Sequence, residues 1–135
     1  MLARLYKSTP KRRAILDLLE NSETYLSPEQ IWMKLKEKFI KIGLPTVYRN
    51  LESLAGMGKA QVILTENRQL HYYRCHDRDH HHHFVCNSCK KVFELPTCPV
   101  RTIEAAFNYQ VKIESHIFQV NGYCRECNKQ GRKAV

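Results

Sequence analysis

Residues 43–51 read GLPTVYRNL, and this stretch decides the fold of the first half of the 135-residue chain. A helix begins here, because Gly43 interrupts the preceding structure and Pro45 suits a first helical turn. Apolar residues then recur with the i, i+4, i+7 and i+8 spacing of one buried helix face: Val47, Leu51, Leu54 and Ala55. We therefore expect a helix over 45–57, stopped by two glycines, whose other face is polar and carries Thr46, Tyr48, Arg49, Asn50 and Ser53.

Two further helices precede this one, and a hairpin follows it. Residues 8–10, Ser-Thr-Pro, supply a cap and a first-turn proline for a helix over 9–21. Residues 27–30, Ser-Pro-Glu-Gln, match a capping box for a helix over 28–40. Two β-prone runs then surround the turn-forming Glu66-Asn67: 60–64 and 69–74. Three helices followed by a hairpin predict a winged helix-turn-helix domain over 1–74.

The character of the sequence changes after residue 74. Residues 75–80 are polar, and we interpret them as a hinge before a second domain over 81–135. In that domain we expect two short strands, a helix and a long strand, at 83–86, 91–95, 100–109 and 110–123. The expected fold class is α+β: an N-terminal winged helix-turn-helix domain followed by a small C-terminal α/β domain.

Composition excludes several classes of protein. No apolar run approaches the roughly 18 residues of a membrane span, and the N-terminus lacks the apolar stretch of a secretory signal. We therefore expect a cytoplasmic protein that does not bind membranes. The chain has 22 Lys and Arg against 13 Asp and Glu, a net charge of +9. Residues 1–74 carry +6 of this charge and residues 75–135 carry +3, so the predicted winged-helix half is the more basic one.

Two CxxC pairs are the strongest chemical signal: Cys86, Cys89, Cys124 and Cys127. A CxxC turn directs two thiolates at one ion, and two such turns complete a closed tetrahedral site for structural zinc. The alternative is four buried or oxidised cysteines, which is a weaker reading for a chain expected in a reducing compartment. The small C-terminal domain would then depend on the metal for folding.

A second group of metal-binding residue types surrounds the four consecutive histidines 80–83. Alternate residues of a strand share a face, so this run can contribute to two separate sites. One of these sites would combine two histidines of the run with a thiolate and a carboxylate. This mixed set of ligands suits zinc: Cys75, His81, His83 and Glu94. His71, four residues before the cysteine, is an alternative or additional ligand. The alternative interpretation is that some of these histidines are not metal ligands but are solvated or hydrogen-bonded.

The polar face of the third helix has the position of a recognition helix. There, Arg can pair with guanine and Tyr can contact thymine methyl groups or phosphate. An ordinary solvated face is the alternative, against which the charge of the first half and the adjoining hairpin argue. Basic residues of the first helix and the hairpin would contact phosphates. The predicted DNA contacts are Lys11, Arg12, Arg13, Thr46, Tyr48, Arg49, Asn50, Lys59 and Arg68.

With these motifs placed, the sequence resembles the ferric uptake regulator (Fur) family of metal-dependent repressors along nearly its whole length. The resemblance rests on TPKRR at 9–13, GLPTVYRNL at 43–51, HHHHFVCNSC at 80–89 and GYCREC at 122–127. It implies a homodimer whose winged-helix domains bind a palindromic double-stranded DNA operator. It also implies that the C-terminal domains pair, that a four-cysteine zinc maintains the dimer, and that a hinge metal site brings the DNA-binding domains onto DNA.

Two departures concern the metal that is sensed. The iron and peroxide branches usually have a His where Tyr25 stands and an acidic residue where Cys75 stands. The sequence therefore looks more like the zinc uptake regulator (Zur) branch, and thiolate in place of carboxylate independently favours zinc. The resemblance also suggests a third metal site with His80, His82 and His116 as candidate ligands. Arg101 lies near the position where an acidic ligand of this third site is expected. Cys98 has no assigned role.

The function predicted from the sequence is zinc-dependent repression of metal-uptake genes, by a protein that is no enzyme and has no small-molecule substrate. An iron or peroxide sensor of the same family, using His71 or Cys98, is the main alternative. A zinc hydrolase with Glu94 as base, and a constitutive zinc protein that binds nucleic acid nonspecifically, are weaker alternatives.

Overall fold

The computed structural model describes residues 9–74 and 82–130. The chain divides between residues 78 and 79 into two compact units, which we call the N-terminal unit and the C-terminal unit. Helices and strands occur in both units, and the expected α+β class is confirmed. Within the described ranges, no helix combines the length and apolar character that crossing a membrane requires.

The N-terminal unit begins with helices α1 (Pro10–Glu20), α2 (Pro28–Leu35) and α3 (Leu44–Gly56). Thr9 caps α1, because its hydroxyl oxygen accepts the Arg12 amide at 3.1 Å. The capping box expected at the start of α2 is confirmed. Its Ser27 hydroxyl oxygen accepts the Gln30 amide at 3.0 Å, and the Gln30 side chain accepts the Ser27 amide at 2.8 Å.

Helix α2 is shorter than the sequence prediction, which extended it to Ile40. The amide of Phe39 still bonds to the Leu35 carbonyl at 2.8 Å, but the chain then turns and the Ile42 amide bonds to the Phe39 carbonyl. The Trp32 indole N–H donates to the Ile42 carbonyl at 3.0 Å and fixes this turn. As a result Ile42 is 5% exposed, whereas Ile40 is 89% exposed. Burial of one isoleucine instead of the other therefore ends the helix.

A β-hairpin follows α3, as expected. Strand β1 (Gln61–Leu64) pairs antiparallel with β2 (Leu70–Tyr73), and Arg68 in the turn has a φ of 61°. A bridge between Leu26 and Tyr72, with both N–O distances at 2.8 Å, joins the hairpin to the segment before α2. This arrangement of three helices and a hairpin is that of a winged helix.

The core of the N-terminal unit is apolar and draws on all three helices. The α3 stripe Val47, Leu51 and Leu54 is fully buried. It packs with side chains of the other helices and the hairpin, among them Ile15, Leu19, Ile31, Leu35, Ile42 and Tyr72. Because this face of α3 is turned into the core, its polar face is directed outward.

The C-terminal unit contains β3 (His83–Cys86), β4 (Val92–Glu94), α4 (Val100–Ala106), β5 (Gln119–Gly122) and α5 (Arg125–Lys129). The strands form a sheet in the order β4-β3-β5, antiparallel between β3 and β4 and parallel between β3 and β5. The sequence did not predict α5, which is a single short turn of helix around the second CxxC pair.

The long strand predicted over 110–123 was wrong, since only Gln119–Gly122 is a strand. In the parallel register His83, the first residue of β3, pairs with Gln119. Residues before Gln119 therefore run past the start of β3 and have no described strand beside them. The helix predicted over 100–109 ends at Ala106, because Asn108 and Tyr109 adopt positive φ angles of 55° and 57°.

Apolar burial is sparse in the C-terminal unit. Over residues 82–130 the buried apolar side chains are Val85, Cys86 and Cys127, and two of these belong to CxxC pairs. Helix α4 buries no residue. A unit with so few buried apolar side chains needs a further source of stability.

Candidate metal centres and nucleic-acid interface

The two CxxC pairs lie side by side in the C-terminal unit. Cys86 ends β3 and Cys89 follows in a tight turn, while Cys124 precedes α5 and Cys127 lies within it. Parallel pairing of β3 with β5 brings the two turns together. The four sulfur atoms all lie within 4.8 Å of one another.

The distances and surroundings of these sulfurs fit a tetrahedral cation. The Sγ atoms of Cys89 and Cys124 are 3.8 Å apart. Four thiolates at zinc-like bond lengths around one ion would lie about 3.8 Å apart as well. Backbone amides of Cys89 and Cys124 each donate to the Cys86 sulfur at 3.4 Å.

The electrostatics of the four thiols are those of a group that a bound cation would stabilise. Burial raises the pKa of the Cys86 thiol, but backbone N–H groups, first that of Cys124 and then that of Cys89, donate to its sulfur and bring the pKa to about 6. Burial raises the pKa of Cys89 to about 12, against a lowering hydrogen bond from the Lys91 backbone, and the neighbouring sulfurs add to the rise. Neighbouring thiolates disfavour one another's charge, and a bound cation reverses that effect.

A second cluster brings together His82, Cys98 and His116. The Cys98 sulfur lies 3.4 Å from Nε2 of each imidazole, and the two Nε2 atoms are 3.0 Å apart. His82 directly precedes β3, Cys98 precedes α4, and His116 lies before β5. Three segments far apart in sequence therefore converge at one point.

This convergence involves a residue that the sequence analysis left without a role. His82 and His116 were candidate ligands, but the expected third partner was an acidic residue near Arg101, not Cys98. The thiol lies 16 residues from one histidine and 18 from the other. Neither spacing forms a local motif. The sequence marked this contact only by the presence of Cys98, a cysteine that belongs to no recognisable motif.

The predicted regulatory ligands are described only in part. Cys75 and His81 lie outside the described residues, as does the further candidate His80. His83 and Glu94 are described and are register partners across β3 and β4, so they share one face of the sheet. His83 is buried and Glu94 is exposed.

His71, the alternative regulatory ligand, lies on β2 in the N-terminal unit. Its ring makes an edge contact with Tyr25, with ring centroids 5.1 Å apart. Tyr25 is the residue that stands where the iron and peroxide branches usually have a histidine.

The polar face of α3 is organised by hydrogen bonds among the predicted DNA contacts. Arg12 of α1 donates from Nε to the Asn50 side-chain oxygen at 3.0 Å. Asn50 donates to the Thr46 carbonyl at 2.9 Å, and Arg49 donates to the Thr46 hydroxyl at 3.3 Å. Four of the predicted contacts therefore form one connected group.

Tyr48 has a partner that the sequence analysis missed. Its hydroxyl donates to the Glu29 carboxylate at 2.6 Å, which raises the pKa of Tyr48 and lowers that of Glu29. The sequence feature that could have predicted this contact is Glu29, an acidic residue in the first turn of α2. We interpreted it only as part of the capping motif.

The remaining predicted contacts lie elsewhere in the N-terminal unit. Lys11 and Arg13 are on α1, Lys59 precedes β1, and Arg68 lies at the tip of the hairpin.

Comparison with known proteins identifies relatives that match most of the chain. The ferric uptake regulator family matches residues 4–121. A ferric uptake regulation protein of Bacillus subtilis (strain 168) is 35% identical over 136 residues, covering 91% of this chain and 86% of that protein. A zinc uptake regulation protein of Mycobacterium tuberculosis (strain H37Rv) is 34% identical over 123 residues, covering 90% and 94%.

A solved structure agrees with these matches. The Helicobacter pylori ferric uptake regulator Fur superposes with a TM-score of 0.71 at 28% identity, covering 93% of this chain and 85% of that one. Since the family match spans most of the sequence, this chain belongs to the ferric uptake regulator family and is a metal-responsive transcription regulator rather than an enzyme.

Proposed function

We propose that this chain is a zinc-sensing repressor that acts in the cytoplasm. In this proposal it binds a palindromic operator of metal-uptake genes as a homodimer when a regulatory site holds zinc. The regulatory ligands are Cys75, His81, His83 and Glu94, and a second zinc is held structurally by Cys86, Cys89, Cys124 and Cys127.

The observation that carries the proposal is the register of His83 with Glu94 across β3 and β4. A buried imidazole opposite a carboxylate supplies two ligands of different chemistry on one face of a sheet. His81, two positions earlier in sequence, is the second imidazole ligand in this proposal. Cys75 then adds a thiolate, and a thiolate, two imidazoles and a carboxylate suit zinc better than iron or manganese.

Sequence identity does not discriminate between the metals. The ferric and zinc uptake relatives are 35% and 34% identical to this chain. The choice of zinc therefore depends on ligand chemistry, in particular on Cys75 in place of an acidic residue.

The proposed mechanism is a population shift. Cys75 precedes the division of the chain between residues 78 and 79, whereas the other three ligands follow it. In this proposal one metal ion is bound by all four ligands. It favours DNA binding to the extent that it binds one arrangement more tightly than the others. In the favoured arrangement, the two α3 helices of the dimer enter successive major grooves.

The N-terminal unit supplies the DNA-binding chemistry. The polar face of α3 directs Tyr48 and Arg49, both exposed, away from the core. Side chains of this type read base edges, while lysines and arginines of α1 and the hairpin neutralise phosphates.

A mobility-shift titration tests the proposal. The wild-type chain should bind operator DNA more tightly as free zinc rises, and Cys75→Ala should abolish that rise while keeping the four-cysteine zinc and the dimer. His76→Ala is the matched control, because it alters the adjacent residue and should preserve the zinc response. Unchanged zinc dependence of Cys75→Ala would contradict the regulatory assignment.

The same titration addresses the alternative function. Stimulation by iron(II) without stimulation by zinc would favour an iron sensor. A peroxide sensor would instead show oxidation of a metal ligand by mass spectrometry after peroxide treatment.

A further inference from the structure

A hydrogen-bonded pair joins the start of α2 to the polar face of α3. The Tyr48 hydroxyl donates to the Glu29 carboxylate at 2.6 Å. We propose that Glu29 is a specificity-determining residue of the DNA-binding surface. By accepting the Tyr48 proton, it makes the Tyr48 oxygen an acceptor for the exocyclic amino group of a base, N6 of adenine or N4 of cytosine. This inference rests on the proposed function, because it requires that α3 enters the major groove.

The direction of the hydrogen bond determines what Tyr48 can offer to DNA. A tyrosine hydroxyl has one proton and two lone pairs, whereas an ionised carboxylate only accepts. The bond lowers the pKa of Glu29 and raises that of Tyr48, so at neutral pH the carboxylate is ionised and the phenol keeps its proton. That proton is directed to Glu29. The lone pairs of the Tyr48 oxygen therefore remain for a donor on the DNA.

Other side-chain oxygens on the first turns of α3 already accept hydrogen bonds from arginines. Asn50 Oδ1 accepts from Arg12 at 3.0 Å, and Thr46 Oγ1 accepts from Arg49 at 3.3 Å. The arginines bring N–H groups, which suit the acceptors of guanine or phosphate. Tyr48 is 38% exposed. With its carboxylate partner it therefore gives this largely donating group an acceptor that DNA can reach.

The major groove contains partners that fit such an acceptor. Adenine and cytosine present amino donors there, at N6 and N4, whereas guanine presents O6 and N7 and thymine presents O4, all acceptors. An acceptor on α3 therefore favours adenine or cytosine at the position that it contacts. Phosphates are a poor partner, because their oxygens carry no proton and their charge repels the carboxylate.

Local structure holds the carboxylate in place before DNA binds. Glu29 lies in the first turn of α2, where the helix dipole stabilises a negative charge. The capping box of Ser27 and Gln30 fixes that turn. Tyr48 follows Val47, which is fully buried and anchors the start of α3 in the core. Because both groups are already ordered, contact with a base costs little further conformational entropy.

Selection from a random double-stranded DNA library tests the proposal on the full-length, zinc-loaded protein. Wild type should enrich adenine or cytosine on one strand at one position of each half-site by about three- to tenfold, as one hydrogen bond allows. Tyr48→Phe removes the acceptor and should lose this preference. Glu29→Gln should lose it too, because the new amide can donate to the Tyr48 oxygen and release the Tyr48 proton. Unchanged preference in both variants would overturn the proposal.

Glu37→Gln is the matched control. It also removes one exposed negative charge, two residues beyond the end of α2, but leaves the contact with Tyr48 intact. We expect it to keep the wild-type base preference. Loss of the same preference in Glu37→Gln would show that net charge, and not the contact between Glu29 and Tyr48, determines it.

Base analogues in the selected duplex test the amino group directly. Purine in place of adenine, or pyrimidin-2-one in place of cytosine, lacks that group. The analogue should weaken binding of wild type by about threefold or more beyond its effect on Tyr48→Phe. Equal losses in the two proteins would show that the Tyr48 oxygen does not contact the amino group.

A purely structural role for the pair predicts a different result. If the pair only stabilised the fold, Glu29→Gln would lower affinity for all sequences equally and lower the melting temperature, and that outcome would overturn the proposal. We instead expect unchanged melting and nonspecific DNA binding at least as tight as that of wild type, because a negative charge is removed. Absence of any enriched sequence with wild type would contradict the proposed function as well. Enrichment that is the same in wild type, Glu29→Gln and Tyr48→Phe would overturn this inference alone.

Discussion

Replacing Cys86 by serine should unfold the C-terminal unit and leave the N-terminal unit folded. Structural zinc in small modules contributes an apparent binding free energy of about 10 to 16 kcal/mol at neutral pH. A fully buried aliphatic side chain contributes only about 1.5 to 3 kcal/mol. Over residues 82–130 the one buried side chain of that kind is Val85, so apolar burial cannot compensate for loss of the four-cysteine metal.

The N-terminal unit has no such dependence. Its core includes Ile15, Leu19, Val47 and Leu51, all fully buried, and it draws on α1, α2, α3 and the hairpin. Loss of metal from the other unit removes none of these contacts. We therefore expect the effect of Cys86→Ser to be confined to one unit.

Hydrogen exchange read by mass spectrometry, with elemental analysis of the same sample, provides the assay. In Cys86→Ser, peptides from 82–130 should lose protection, and at least one zinc per chain, that of the four-cysteine site, should be lost. Peptides from 9–74 should exchange as in wild type. Ser88→Ala is the control, because it lies in the same turn, keeps its backbone N–H and removes no thiolate.

Two outcomes would refute the reasoning. A Cys86→Ser variant that lacks the four-cysteine zinc but whose C-terminal amides remain protected would show that the unit folds without this metal. Loss of protection across α1 and α3 as well would show that the two units do not fold independently.

Three further predictions concern the N-terminal unit. Leu51→Ala should lower its free energy of unfolding by about 2 to 5 kcal/mol in urea titrations, whereas Ile40→Ala, at an 89% exposed position, should change it by no more than about 0.5 kcal/mol; equal effects would contradict the core assignment. Arg49→Ala should weaken operator binding by about 1 to 3 kcal/mol and relax preference at one base position in competition assays, and a uniform loss across sequences would indicate a phosphate contact instead. A double-mutant cycle of Arg12→Ala and Asn50→Ala should give a coupling free energy of about 0.5 to 1.5 kcal/mol in stability, and a value near zero would show that their hydrogen bond is not maintained in solution.

Local patterns account for most of what the sequence predicted in the N-terminal unit. The spacing of Val47, Leu51 and Leu54 specifies one helix face, and the caps at Thr9 and Ser27 specify where two helices begin. The end of α2 was beyond this kind of reasoning. It accompanies the burial of Ile42 instead of Ile40 and a hydrogen bond from Trp32 to the Ile42 carbonyl, which no local pattern in the sequence marks.

The C-terminal unit was less predictable because long-range pairing forms it. The start of β5 at Gln119 follows from its register with His83, 36 positions away in sequence, and no local pattern marks that position. The meeting of Cys98 with His82 and His116 depends on the same pairing. The CxxC pairs were the exception, since each brings two ligands together within four residues and makes the metal chemistry visible locally.

The contrast between the two units limits how a metal can control DNA binding in the proposed repressor. Helix α3 is held by a fully buried apolar stripe, and Arg12 and Asn50 join its polar face to α1. The recognition surface is therefore formed by contacts inside the N-terminal unit. Zinc then has no folding of α3 to induce. Its effect on operator affinity must come from selecting an arrangement of already folded recognition helices, which requires a difference in metal affinity between arrangements rather than a large binding energy.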